Sequence, residues 1–291
     1  MNIQKWLTKN AHSLSGKTVV ITGATGGLGK ELSRYVVMLG ADLVTVDRNE
    51  SRSLALEKEL VAEFPETEIT RIIADMADFG SVKSACERLK GMPIDYLVLN
   101  AAAYSIPRKR CDTGYDNVFQ INFVSPYYLT RELMPLLSAR KGRVIAVGSI
   151  AHNYSITDSD DIDFSTRSRS NLVYGNSKRY LMFSLYELMK SEGKMLSVVH
   201  PGITFTNITA HYPPIIFAII KHPMKLIFMK PKKAALSILK GLFKHTQGYS
   251  WIGPKLFNIW GYPSKKPLKT AQKAEIDRIY QTAEGIYNKL K

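Results

Sequence analysis

From Lys17 to Val199 the chain alternates short, almost continuously apolar runs with longer runs of helical spacing, and few folds accommodate that rhythm. The spacing predicts strands over 17–21, 41–46, 68–74, 96–99, 143–147 and 195–199. Between them it predicts helices over 28–38, 51–64, 81–89, 117–137 and 173–189. A strand that is apolar at every position must be covered on both faces, which a parallel sheet flanked by two helical layers provides. Right-handed crossovers then give a doubly wound α/β sheet of about seven strands, with ligands expected outside the carboxyl ends of the strands.

Beyond residue 200 the rhythm changes. The segment 212–229 is rich in Ile, Phe, Met and Pro and is interrupted by Lys221, His222 and Lys225. A helix is predicted over 231–243, opened by Pro231, then a last strand over 248–252 and a terminal amphipathic helix over 269–290. No internal repeat or low-complexity linker divides the chain, so 1–291 reads as one domain. Its expected parts are a core over about 15–207, a lid over about 208–232 and a helical tail over about 265–291.

Bulk properties exclude several classes. A hydrophobic share of 45% and an aromatic share of 10% suit a packed core rather than a disordered chain. Two cysteines, Cys86 and Cys111, build no disulfide framework and fit a reducing compartment. Residues 1–16 lack the continuous apolar stretch of a secretory signal, and no long apolar run predicts a spanning helix. A cytoplasmic location follows as the expectation, and Ile3, Trp6 and Leu7 are expected to pack on the domain. The six histidines show no ligand spacing, so no metal is expected.

The charge is uneven. From His211 onward, fourteen lysines and one arginine face three carboxylates, a net +12 of the total +15. Such a region is either a solvated face or one that meets an anionic surface. A peripheral contact with anionic membrane is one expectation, centred on 212–229 and on Lys230, Lys232 and Lys233. Nucleic acid is not expected, because no aromatic platform or binding module accompanies the lysines.

The chemistry gathers at a few positions. The first predicted strand runs into Thr22-Gly23-Ala24-Thr25-Gly26-Gly27-Leu28-Gly29, inside which a helix begins. Glycines let the main chain approach a pyrophosphate, and a helix N-terminus offers it free N–H groups. The strand–loop–helix context makes this a dinucleotide loop rather than a bare tight turn. Asp47, closing the second strand, can accept hydrogen bonds from ribose hydroxyls and would repel a 2′-phosphate. Arg48 beside it argues the other way. The balance favours NAD over NADP. Asp75, after the third strand, reads equally as an adenine contact or a turn residue.

Tyr174 and Lys178 lie four apart on a predicted helix and so share one face. An ammonium near a phenol stabilises phenolate, which lets the tyrosine exchange a proton with an alcohol or carbonyl. Ser149, at the end of the fifth strand, is placed to bond the substrate oxygen. Asn122 is placed to hold a water that relays protons to Lys178.

Taken together, Thr22-Gly23-x-x-x-Gly27-x-Gly29, Asn100-Ala101-Ala102, Asn122, Ser149, Tyr174-x-x-x-Lys178 and Pro201-Gly202 resemble the short-chain dehydrogenase/reductase family. The resemblance covers about residues 15–207 and implies a Rossmann-type fold. It implies that Asn122, Ser149, Tyr174 and Lys178 form a catalytic tetrad, with Lys178 also binding the nicotinamide ribose. It further implies a cofactor cradle of Thr22, Gly23, Thr25, Gly27, Leu28, Gly29, Asp47, Arg48, Asp75, Met76, Asn100 and Ala101. Pro201, Gly202, Thr204 and Thr206 would flank the nicotinamide, and a homo-oligomer is expected by the same analogy.

The 25-residue gap from Ser149 to Tyr174 is similar to that of the branch holding retinol dehydrogenases and protochlorophyllide reductases. Two positions depart from that branch. Ile203 stands where the latter carry a cysteine, and Asp47 precedes the arginine with which the branch selects NADPH. The implied activity is hydride transfer between a nicotinamide cofactor and an alcohol or carbonyl, apolar because the lid is apolar. The rival expectation is a dinucleotide-binding sensor or scaffold without turnover.

Overall fold

The computed structural model describes residues 2–193, 195–204, 228–246 and 248–291. Thr206 and most of the predicted lid lie outside these residues.

The strands are β1 (Thr18–Thr22), β2 (Asp42–Asp47), β3 (Ile69–Ile73), β4 (Tyr96–Leu99), β5 (Arg143–Val147), β6 (Met195–Val199), β7 (Ser250–Leu256) and β8 (Trp260–Pro267). They form one sheet in the order β3-β2-β1-β4-β5-β6-β7-β8. Strands β1 to β7 pair in parallel, and β8 returns antiparallel to β7.

The helices among the described residues are α1 (Ile3–Asn10), α2 (Gly27–Met38), α3 (Glu50–Glu63), α4 (Phe79–Lys90), α5 (Asn117–Phe119), α6 (Ser125–Ala139), α7 (Ser170–Ser191), α8 (Pro231–Phe243) and α9 (Lys273–Leu290).

Alternate residues of the strands enter two separate cores, which is why the strands read as apolar throughout. Val20, Leu97, Leu99, Val144 and Ala146 face a core closed by α4, α6, α7 and α9. Val19, Ile21, Val98, Ile145 and Val147 face the other, closed by α1, α2, α3 and α8. Each strand side chain leaves water on one face or the other, worth roughly 1.5–3 kcal/mol for a fully buried Val, Leu or Ile. Trp6 and Leu7 of α1 belong to the second core, and Trp6 stacks on Tyr262 with ring centroids 6.5 Å apart.

Two features correct the sequence reading. The sheet has an eighth strand, β8, and residues 265–267 belong to it rather than to the helical tail, which begins as α9 only at Lys273. The run Trp260-Gly-Tyr-Pro-Ser-Lys-Lys-Pro267 has no alternating apolar pattern, because it is an edge strand held by backbone pairing to β7. Its prolines and lysines are what an exposed edge tolerates. Secondly, the helix predicted over 117–137 is interrupted by a π turn at Gln120–Val124, between α5 and α6. One extra residue in a turn leaves no mark in hydrophobic spacing, and such turns cluster at functional sites.

Candidate active site

The strand order reverses between β1 and β4, so the loops leaving their carboxyl ends part and open a crevice. A cleft of about 280 Å³ lies there. Its walls include Gly23, Thr25, Gly27, Leu28, Gly29, Asp47, Arg48, Asp75, Met76, Asn100 and Ala101, all foreseen from the sequence.

The glycine loop is built by close approach. Gly23 takes φ +68°, and a Cβ there would sit 2.9 Å from the Cα of Ala101. A Cβ on Gly29 would collide with the Gly23 carbonyl and with Ala24, so α2 rests directly on the loop backbone. Asn100 holds the loop from below, its amide donating to the carbonyls of Thr22 (3.0 Å) and Gly23 (2.9 Å). The Thr22 hydroxyl in turn accepts the N–H groups of Asn100 and Ala101, each at 3.0 Å. No side chain caps the start of α2, which leaves its first N–H groups to an anion.

Asp47 is 2% exposed. Its Oδ1 accepts from the Thr25 N–H and hydroxyl, both at 2.9 Å, whereas Oδ2 is buried without a partner among the described residues. Burial pushes its pKa up against those two hydrogen bonds. An orphaned carboxylate oxygen in the wall of a cleft calls for a donor from a ligand. Together with the loop, it fits the adenosine ribose and pyrophosphate of a dinucleotide.

Asp75 lines the cleft and also makes a turn contact, its Oδ1 accepting the Ala77 N–H at 2.9 Å. Pro201 and Gly202 follow β6, and Thr204 bridges in parallel to Met229. Gly202, at φ +86°, is pressed against the Ile259 carbonyl and Pro254 of the β7–β8 hairpin. That hairpin was not legible in the sequence, so neither was this contact.

The four candidate catalytic residues gather at the carboxyl ends of β4 and β5. Ser149 begins the 3₁₀ turn Ile150–Tyr154, its hydroxyl accepting the Ala151 N–H at 3.2 Å. Tyr174, in the first turns of α7, is partly exposed, and its ring meets Tyr104 of the cleft edge-on at 5.2 Å. Burial pushes its phenol up to about 12, and a hydrogen bond with Ser149 pulls the other way. Gly175 follows because a Cβ there would strike the Ala151 carbonyl, so α7 lies against the Ser149 turn.

Lys178 is 1% exposed, and its Nζ lies 5.8 Å from the centroid of the Tyr174 ring. It donates to the Val147 carbonyl at 3.0 Å, and no carboxylate pairs with it among the described residues. Burial alone lowers its pKa to about 7. The hydrogen bond with Ser149 is thus the contact within the fold that pulls the phenol down.

Asn122, in the π turn, is fully buried, and its amide clamps Ala103 by donating to the carbonyl (2.7 Å) and accepting from the N–H (3.0 Å). Its side chain is thereby committed to holding the segment around Ala103.

Sequence reasoning missed a brace behind Ser149. His152 Nδ1 meets the Ser149 carbonyl at 2.6 Å and Nε2 meets the Thr270 hydroxyl at 2.7 Å. Arg179 donates to the His152 carbonyl at 2.9 Å and forms a buried pair with Glu275 of α9, Nε to Oε1 at 2.5 Å. Arg52, Tyr104, Ile106 and Ile121 also line the cleft unforeseen. Arg52 alone carried a signal, one helical turn after Arg48.

Residues 17–160 match the short chain dehydrogenase family. The WW domain-containing oxidoreductase of Homo sapiens is 31% identical over 209 residues, covering 67% of this chain and 50% of that protein. The chain thus spans half the length of that relative. Polyprenol dehydrogenase of Mus musculus is 25% identical over 288 residues, covering 93% of this chain and 83% of that one. A solved structure of an uncharacterized protein from Mycobacterium Paratuberculosis superposes with a TM-score of 0.73 at 23% identity, over 96% of this chain and 94% of that one. On sequence match and site geometry alike, the chain belongs to the short-chain dehydrogenase family.

Proposed function

We propose that the chain is an NAD(P)-dependent oxidoreductase that moves a hydride between the cofactor and an alcohol or carbonyl carbon of an apolar substrate. The observation that carries this reading is the buried Lys178, without a carboxylate partner among the described residues, close to a Tyr174 that bonds Ser149 and meets Tyr104 of the cleft. A scaffold that only bound the cofactor would have no use for a phenol held by hydrogen bond against Ser149 beside an ammonium.

A nicotinamide dinucleotide bound in the cleft supplies the hydride. The protein's part is proton transfer and positioning. With its pKa near 12, Tyr174 holds its proton at neutral pH and is ready to give it to a carbonyl oxygen as reduction proceeds. In the oxidative direction the phenol must first release that proton. Ser149 favours the phenolate by hydrogen bonding, and the neighbouring Lys178 favours it by charge. Ser149 also orients the substrate oxygen toward Tyr174.

Three features support an apolar substrate. Ile106, Ile121 and Tyr104 line the cleft, and Tyr104 meets the Tyr174 ring. Just beyond Ser149, Tyr154 and Ile156 are 60% and 82% exposed. One relative bears the name polyprenol dehydrogenase.

Tyr174→Phe tests the assignment. Turnover of a reducible apolar carbonyl should fall by at least about a hundredfold, while dinucleotide affinity, measured by calorimetric titration, stays within about twofold of wild type. Retained turnover would remove Tyr174 from its role.

A further inference from the structure

Strand β7 runs parallel to its neighbours, so the β7–β8 turn projects from the carboxyl edge of the sheet, the edge that also carries Ser149 and Tyr174. The turn is Leu256-Phe257-Asn258-Ile259, closed by the Ile259 N–H on the Leu256 carbonyl at 2.9 Å. Phe257 and Asn258 take φ of 50° and 58°. Two successive left-handed residues make a type I′ turn, whose usual occupants are asparagine, aspartate and glycine.

A phenylalanine there carries a steric cost. Its ring recovers little of that cost within the fold, for Phe257 is 81% exposed and Leu256 before it 55%. The turn is nevertheless held firmly. His200 Nε2 meets the Asn258 carbonyl at 3.0 Å, and Lys266 donates to the Pro254 and Lys255 carbonyls and to Asn258 Oδ1. A strained, exposed and rigidly presented ring points to a partner outside the molecule.

The surrounding charge says which kind. Between Glu192 and Glu275 the sequence has thirteen lysines and no carboxylate. Lys255 and Lys266 flank the turn. Lys230, Lys232 and Lys233 open α8, which starts at the same edge and has no acidic residue in its first turn. The Lys233 ammonium lies 4.9 Å over the Tyr262 ring of β8, joining the two elements. Cations at a helix N-terminus oppose the helix dipole, an arrangement that an external anion relieves.

We propose that the Leu256–Phe257 turn and the lysines at the start of α8 form a docking surface for an anionic lipid bilayer. The ring enters the apolar layer and the lysines meet the headgroups. A small apolar protrusion beside cations suits a surface that is apolar beneath an anionic skin. Docking in this way turns the catalytic edge toward the bilayer. Docking of this kind does not require the hydride chemistry.

Flotation of the full chain with pure phosphatidylcholine vesicles and with mixed phosphatidylcholine–phosphatidylserine vesicles tests it. Wild type should float with the mixed vesicles at least about tenfold better than with the pure ones. Phe257→Asn should lower that binding about tenfold and at the same time raise the melting midpoint, because asparagine suits the turn. Opposite signs in binding and stability would not arise from simple damage to the fold. Lys230→Glu/Lys232→Glu/Lys233→Glu should abolish the phosphatidylserine dependence. Failure of wild type to float, or equal flotation of wild type and Phe257→Asn, overturns the proposal. So does a change in native mass for Phe257→Asn without a change in flotation, which would assign the turn to a second copy of the chain. Dinucleotide affinity should match wild type in every variant, so the docking and catalytic readings fail separately.

Discussion

Lys178 shows at the scale of one residue how burying a charge opposes stability. In water its ammonium keeps its proton to about pH 10.5, but in the fold only to about 7. Below pH 7 both states are charged, and the cost of burying the charge is felt in full. Between about 7 and 10.5 the folded state releases its proton first, so this site's contribution to stability improves as pH rises. Lys178→Met should therefore raise stability near pH 6 by about 1–3 kcal/mol, less what the unsatisfied Val147 carbonyl takes back. The gain should fade toward pH 10, and turnover should be lost. Thermal melts at the two pH values check this, and a gain that ignores pH would show that the ammonium is not its source. The lysine's place beside Tyr174 is legible from their spacing. Its missing counter-charge is not, because pairing is a tertiary property.

Among the elements, α9 acts on the site from a distance. It carries Glu275, which meets Arg179 of α7 and the Thr157 hydroxyl, and Arg179 holds the turn that begins at Ser149. The carboxyl of Glu275 is itself buried, which opposes ionisation, yet Arg179 and Thr157 hold its pKa below the ordinary range. Glu275→Ala leaves a buried guanidinium unpaired and should cost about 3–5 kcal/mol in urea denaturation. Adding Arg179→Met should recover part of the loss, since the stranded charge goes with it. A double variant less stable than Glu275→Ala by the full cost of a second deletion would contradict the pairing. The terminal helix is visible in the sequence as an amphipathic pattern. That its first turn braces the catalytic loop is not, because Arg179 and Glu275 lie 96 positions apart.

At the scale of the whole molecule, cofactor and fold are linked by mass action. A ligand that binds only the folded chain stabilises it by about 2.7 kcal/mol at a hundredfold excess over its dissociation constant. NADH should accordingly raise the melting midpoint by several degrees, and NADPH by less at equal concentration, because the buried carboxylate of Asp47 would meet a 2′-phosphate. An equal or larger shift with NADPH would assign the phosphate to Arg48 and Arg52, which line the same wall.

The sequence by itself determined the parallel part of the sheet, the glycine loop, and the order Asn122, Ser149, Tyr174, Lys178. These are written in local period and spacing, and a buried strand or a helical i,i+4 pair needs only neighbours in the chain to be recognised. Only the tertiary structure decided the rest. The eighth strand depends on an edge to pair with. The π turn depends on Asn122 reaching Ala103. The Ser149 brace depends on residues that meet only when α7 and α9 pack together. The strained Phe257 depends on a backbone twist that hydropathy does not encode. In each case the cause is a contact distant in the chain or a backbone angle, and neither leaves a periodic mark on the residues that make it.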